Sequence, residues 1–292
     1  MRRLAALAFV LTVALAPSPG LAGDRHILWA VQGQRNTVYL LGAIHVLRPD
    51  DAGLPEAAER AYEDAEQLVM EIDMDDPSVA GPAALGEVMQ RMALLPEGQT
   101  LRSVLGSDYD GIRARAGEAG LDLAMLERFA PWFVATALLQ LELAQRGFSP
   151  EFGIEQALVD RAGKDRKPIV GLETAARQIG LLAGMPLPAQ KRFLVMTLEE
   201  SRQLDRELGE LLRAWQRGDA AALARLLSDE FEEFPDLYRA LTVDRNRAWV
   251  GKLADLLDDR DDYLVVVGAL HLVGRDSVVD LLRKRGYRVV QQ

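Results

Sequence analysis

Two apolar runs of β type, "TVYLLGA" and "YLVVVGA", feed into nearly the same four residues: Gly42-Ala43-Ile44-His45 early in the chain and Gly268-Ala269-Leu270-His271 near its end. The histidines stand 226 positions apart (271 − 45), and they are two of only 3 in the sequence. If both strands run the same way in one sheet, both imidazoles leave it at the same end. Chain leaving parallel strands there lines a crevice in which ligands bind. A Gly just before each His permits a conformation, or a closeness of approach, that a side chain would forbid. The two ends of the chain are therefore expected to meet in one sheet.

The segments between support an α/β (α+β) fold, with a central mixed β-sheet built from N- and C-terminal segments and a large helical middle. "ILWAVQG" and "TVYLLGA" read as a hairpin turning at Gly33-Gln34-Arg35-Asn36. A helix is expected from Pro55 to Ala65, with Pro55 at its first position, and "QLVMEID" as a buried strand. From Pro77 to Arg146 the pattern is helical, broken at Pro96-Glu97-Gly98 and at Gly120, with Pro131 opening an apolar helix that Gly147 closes. "EFGIEQALVDRAG" reads as helix, "KPIVGLE" as strand and "TAARQIGLLAG" as helix. One long or broken helix fits Pro188–Gly218, and helices fit Asp219–Leu227 and Leu241–Leu257. The C-terminus reads strand, loop, helix, strand, with Gly286 ending the helix.

The first residues read as a targeting segment. A basic Met1-Arg2-Arg3 precedes an apolar run from Leu4 to Ala16, too short to span a bilayer, and Gly20-Leu21-Ala22 sets small residues before a cut at Gly23. The expectation is a signal peptide over 1–22 and a single domain over 23–292, in the periplasm or secreted, with no stable membrane insertion. The chain has no cysteine, so neither a disulfide nor a lipid-bearing cysteine is available. Removing Arg2 and Arg3 takes the formal charge from −10 to −12 (−10 − 2). So acidic a chain, with no basic block, is a poor binder of nucleic acid or anionic lipid.

Two histidines and a carboxylate form a recurrent open set of metal ligands that leaves room for water and substrate. Glu71 ends "QLVMEID" and Glu173 ends "KPIVGLE", each directly after a β-type run. Arg245 and Asn246 in "LTVDRNRAW" are polar residues beside apolar helix positions, and Glu155 lies in the helical "FGIEQALVD". Plainer readings stand beside these. Glu71 and Glu173 could be loop acids capping a following helix. Glu155 and Arg245 could be an ordinary helix ion pair or surface charge, the better reading for Glu155. His26 reads as a surface residue. The acidic run Asp255–Asp262 lacks the calcium-loop pattern.

The pieces "LLGAIHVL", "LVMEID", "FGIEQALVDRA", "IVGLETAARQIGLL", "LTVDRNRAW" and "VVVGALHLVGRDSVVDLLRKRGYRV" together resemble the TraB/GumN family, related to the TIKI proteins, from about Leu28 to Val290. The resemblance implies a fold shared with erythromycin esterase and ChaN-type proteins, and divalent-metal-dependent peptide cleavage in TIKI-like relatives. It carries the metal-ligating histidines onto His45 and His271, the acid onto Glu71 and the polar helix pair onto Arg245 and Asn246. Manganese or cobalt would be the metal, with zinc as a third candidate. Where the family commonly has Gly-Ile-Asp, this chain has Gly153-Ile154-Glu155, whose longer side chain displaces the charge.

The expected function is a periplasmic or secreted divalent-metal-dependent hydrolase acting on a peptide or small molecule, with a peptidase of TIKI-like type as the leading reading. His45, His271 and Glu71 (with Glu173 second) would bind the ion, the remaining Glu would move the proton, and Arg245 would hold a substrate carboxylate or oxyanion. Two alternatives remain open: a metal-independent esterase-like hydrolase with His as general base, and a non-catalytic protein binding a metal or small ligand.

Overall fold

An apolar run without polar alternation suits a strand covered on both faces, and the run ahead of the second Gly-Ala-x-His frame is such a strand: every residue of Tyr263–Gly268 is buried. The computed structural model describes residues 25–72, 82–200, 203–230 and 235–292. Among them, β1 (Leu28–Gln32), β2 (Thr37–Ala43), β3 (Gln67–Ile72), β4 (Ile169–Glu173), β5 (Tyr263–Gly268) and β6 (Val289–Gln291) form one mixed sheet in the order β4-β3-β5-β2-β1-β6. The proposed leader and residues 23–24 lie outside the described residues, as do 77–81 of the helical stretch expected from Pro77.

β4, β3, β5 and β2 are parallel neighbours, while β1 pairs antiparallel with both β2 and β6. The two ends of the chain do meet: β2 lies directly beside β5, with Ala43 opposite Gly268. The two frames are therefore staggered. His45 lies two residues beyond this pair and His271 three, because Gly42 faces Val267 rather than Gly268. β4 is the strand contributed by the helical middle, and it takes the edge beside β3. The hairpin turn closes by Gly33 N–H donating to the Asn36 carbonyl at 2.9 Å. The buried Asn36 amide then donates to Leu256 O and Asp261 O, each at 2.8 Å, tying the turn to the end of the Asp244–Leu257 helix.

Helices cover the sheet and build two satellite clusters of buried apolar side chains. Pro131 opens the Pro131–Gln145 helix, and Gly147 follows its end at φ +81°. The helix expected at Pro55 starts one residue later, at Glu56, with Pro55 as its cap. The expected Pro188–Gly218 segment is broken, into Leu187–Glu200 and Leu204–Gln216. The expected Leu241–Leu257 helix enters through a π-helical segment, Arg239–Val243, before turning α-helical at Asp244. His26 is half-buried rather than on the surface, and its N–H donates to Gln292 O at 2.7 Å. Among the described residues no helix is long and apolar enough to cross a membrane.

Candidate functional site

The C-terminal ends of the four parallel strands define the site. Taken in sheet order β4-β3-β5-β2, they present Glu173, Glu71, His271 and His45. This is the edge at which open α/β sheets bind ligands. Arg245 and Asn246, on the first turn of the Asp244–Leu257 helix, enter from the side and are both buried.

Arg245 lies at the centre. Its Nη2 donates to Glu71 Oε2 at 2.5 Å and pairs with Glu173 Oε1 at 2.6 Å, while Nε donates to the same Glu173 oxygen at 2.8 Å. Nη1 donates to Leu241 O in the π-helical segment at 2.9 Å and meets His271 Nε2 at 3.0 Å. Trp249, one helical turn on, lies under the guanidinium at 4.6 Å and packs tilted against the His271 ring at 4.5 Å. The Glu173 side chain is only 3% exposed, and the cap of the helix that follows it is Thr174, whose Oγ1 accepts from Arg177 N–H at 3.2 Å. Glu173 therefore does not cap that helix.

Each imidazole is held through Nδ1. Asn246 Oδ1 lies 2.7 Å from His271 Nδ1, and the Asn246 amide nitrogen donates to Asp276 O at 2.9 Å. The oxygen must therefore face the ring, His271 carries its proton on Nδ1, and Nε2 is left with the lone pair that Arg245 meets. On His45, Nδ1 lies 2.6 Å from Glu155 Oε1, which leaves Nε2 for the cleft. A Cβ on Gly268 would sit 2.9 Å from His45 Nε2 and 3.4 Å from Glu71 Oε1. That oxygen is 3.8 Å from His271 Nε2 and accepts the Gly268 N–H at 2.8 Å. The site thus opens over the bare backbone of Gly268.

The two rings differ sharply in environment. His45 has 61% of its side chain exposed, His271 only 6%. The Glu155 carboxylate raises His45 to about 9, so it is protonated at neutral pH. Burial pushes His271 down to about 3, which keeps it neutral. Burial would also raise the Glu71 carboxyl, but the positive charges around it and the Gly268 N–H bring it down to about 2. With His271 neutral, His45 and Arg245 supply that charge near neutral pH.

Glu155 is the residue that sequence reasoning undervalued. It is positioned by a tight junction between two distant segments. Leu47 and Ser149 exchange backbone hydrogen bonds at 3.3 and 2.9 Å, and Ile154 N–H donates to Ile44 O at 3.2 Å. A Cβ on Gly153 would overlap the His45 carbonyl. In "FGIE" the Gly is the close approach and the Glu two residues on is the contact. The missing side chain in front of an acid was the available signal.

Residues 27–291 match the family model described as the TraB/PrgY/gumN family. The chain belongs to that family. An Escherichia coli K12 relative described as uncharacterized protein YbaP is 27% identical over 266 residues, covering 90% of this chain and 90% of that one. The YbaP protein of Shigella flexneri is also 27% identical, over 88% of this chain and 94% of its own. An uncharacterized protein of Treponema pallidum is 25% identical over 276 residues, covering 89% of this chain and 80% of that one. No solved structure matches this TraB-family chain.

A divalent ion would find suitable donors here: two imidazoles whose Nδ1 atoms are tied back, as in metal sites with a supporting second layer, and one ionised carboxylate. As they stand, no group of three or more His, Cys, Asp or Glu side chains among the described residues is gathered tightly enough to hold an ion. The Arg245 guanidinium contacts both Glu71 Oε2 and His271 Nε2.

Proposed function

We propose that this TraB-family protein is a divalent-metal-dependent hydrolase that works outside the cytoplasm, in the periplasm or secreted, with a peptide bond as its leading substrate. The observation that carries the reading is the orientation of the two rings. Both have Nδ1 engaged, by Glu155 and by Asn246, and both direct Nε2 toward the space beside Glu71. His45, His271 and Glu71 would hold the ion. The chemistry such an ion supplies is Lewis acidity, which makes water a nucleophile near neutral pH and polarises a carbonyl. In this reading Glu173 would take up the proton, and Arg245 would face a substrate carboxylate or developing oxyanion. The leader-like start of the sequence supports export.

The test is elemental analysis of protein purified without a histidine tag or chelator, together with cleavage of a peptide library before and after chelation. Stoichiometric manganese, cobalt or zinc and chelator-sensitive cleavage are expected; metal-free protein that still cleaves would overturn the metal.

One observation favours a second reading, a metal-independent esterase-like hydrolase. The 2.6 Å contact of His45 with Glu155 makes a carboxylate-oriented imidazole open to solvent, which can act as a general base in its neutral form, gained as pH rises through about 9. Turnover indifferent to chelators but lost in His45→Ala would select it. Ligand binding without turnover would leave a binding protein.

A further inference from the structure

Arg245 does more in this site than the expected substrate contact. One guanidinium satisfies Glu71, Glu173 and His271 at once, through nitrogens between 2.5 and 3.0 Å from each. Glu71 Oε2 is shared between Arg245 and the Gln178 amide, which lies 2.7 Å away. The lone pair of His271 Nε2, fixed on that atom by Asn246, is directed at Arg245 Nη1. The His271 lone pair is an atom that an ion would need, and on Glu71 the guanidinium holds Oε2 while Oε1, the oxygen nearer both rings, accepts the Gly268 N–H. The guanidinium is also well anchored, by Leu241 O and over the Trp249 ring, so its position is built into the helix rather than chosen by a free side chain.

Two cations cannot share one imidazole lone pair, nor sit on one carboxylate beside it, without strong repulsion at these distances. We infer that Arg245 is a resident cation in the site, and that its guanidinium and a divalent ion compete for Glu71 and His271. The inference rests on the metal-dependent reading above and adds to it that loading must withdraw Arg245 Nη1 from His271. Metal affinity is then set by the difference between two occupied states rather than by an open cage. The arginine keeps the buried acids paired when no ion is present, and it tunes the site toward ions able to displace it.

The experiment is titration of the full chain with Co²⁺, followed by calorimetry and by the visible absorption of bound cobalt. It compares wild type, Arg245→Gln and Arg245→Lys, each checked for folding by circular dichroism. The competition predicts Co²⁺ binding at least tenfold tighter in Arg245→Gln. Arg245→Lys should fall between that variant and wild type, because an ammonium cannot span Glu71 and His271 as the fork does. Should the glutamine variant fail to fold, with two largely buried carboxylates deprived of the guanidinium, the lysine variant carries the test alone. Equal or weaker binding in the folded variants, with wild type still binding, would overturn the inference and leave the metal site standing as one that Arg245 supports. No cobalt bound by any of the three would overturn both.

Discussion

Asn246 accepts the Nδ1 proton of His271 at 2.7 Å while its own amide donates to the Asp276 carbonyl, and this pair of contacts decides which ring nitrogen faces the cleft. Asn246 is a positioning residue: it acts on the site through His271. Asn246→Leu should leave the buried Nδ1–H without its partner and cost about 1–3 kcal/mol, the usual range for a stranded buried polar group. Asn246→Asp should keep the tautomer, since a carboxylate oxygen still accepts from Nδ1. The ¹⁵N shifts of the His271 ring report the tautomer directly. Nε2 protonation in the wild type would refute the assignment, whatever the stability data show.

Gly268→Ala tests the centre of the site. The glycine has φ −52° and ψ 138°, which alanine adopts without strain. The added methyl would nevertheless stand 2.9 Å from His45 Nε2. Loss of metal binding and of at least about 100-fold in activity is expected, with stability changed by no more than about 1 kcal/mol. Calorimetric titration and thermal melts read the two halves of this statement. Undiminished ligand binding would place the functional centre elsewhere.

The His45–Glu155 pair sets a pH dependence. His45 is raised from 6.5 to about 9, so its neutral form, required of a ligand or a base, accumulates as pH rises through about 9. Metal affinity or turnover should climb over that range. Glu155→Gln removes the charge that raises the ring, so the midpoint should move toward 6.5. For stability the sign is opposite. A raised histidine pKa contributes stability that is full below the unfolded value and lost as pH rises through the folded one. With so much of the ring exposed, that contribution is small. An NMR titration of His45 in both proteins checks the midpoint; identical values would show that Glu155 does not govern it.

The strands were legible because their burial is written into composition. "YLVVVG" in β5 is apolar throughout, as a strand covered on both faces must be. The histidines were legible as a pair because the same tetrapeptide frame follows two neighbouring strands. Glu71 and Glu173 stood out as acids ending apolar runs. What could not be read was how the site is wired. Glu155 reaches His45 across 110 positions (155 − 45), through a junction that depends on Gly153 having no side chain. Apart from the glycine two residues ahead of it, Glu155 reads in the sequence as a solvated charge on a helix. Arg245 was expected to face substrate; its capture by two acids depends on a π-helical entry and on β4 lying beside β3, and no local pattern announces either.

The stagger between β2 and β5 explains why a repeated word does not make a symmetric object. Ala43 faces Gly268, so the two tetrapeptides are set off by one position, like the scales of a vernier. After the offset, one frame leaves the sheet as open loop and the other coils into the short turn Ala269–His271. Two spellings that differ by one aliphatic residue thus deliver one ring to the mouth of the cleft and the other to its wall. Had the frames been in register, the rings would have emerged at matching depth, as twins. The offset makes them specialists, and exchanging the two tetrapeptides would not exchange what their histidines do.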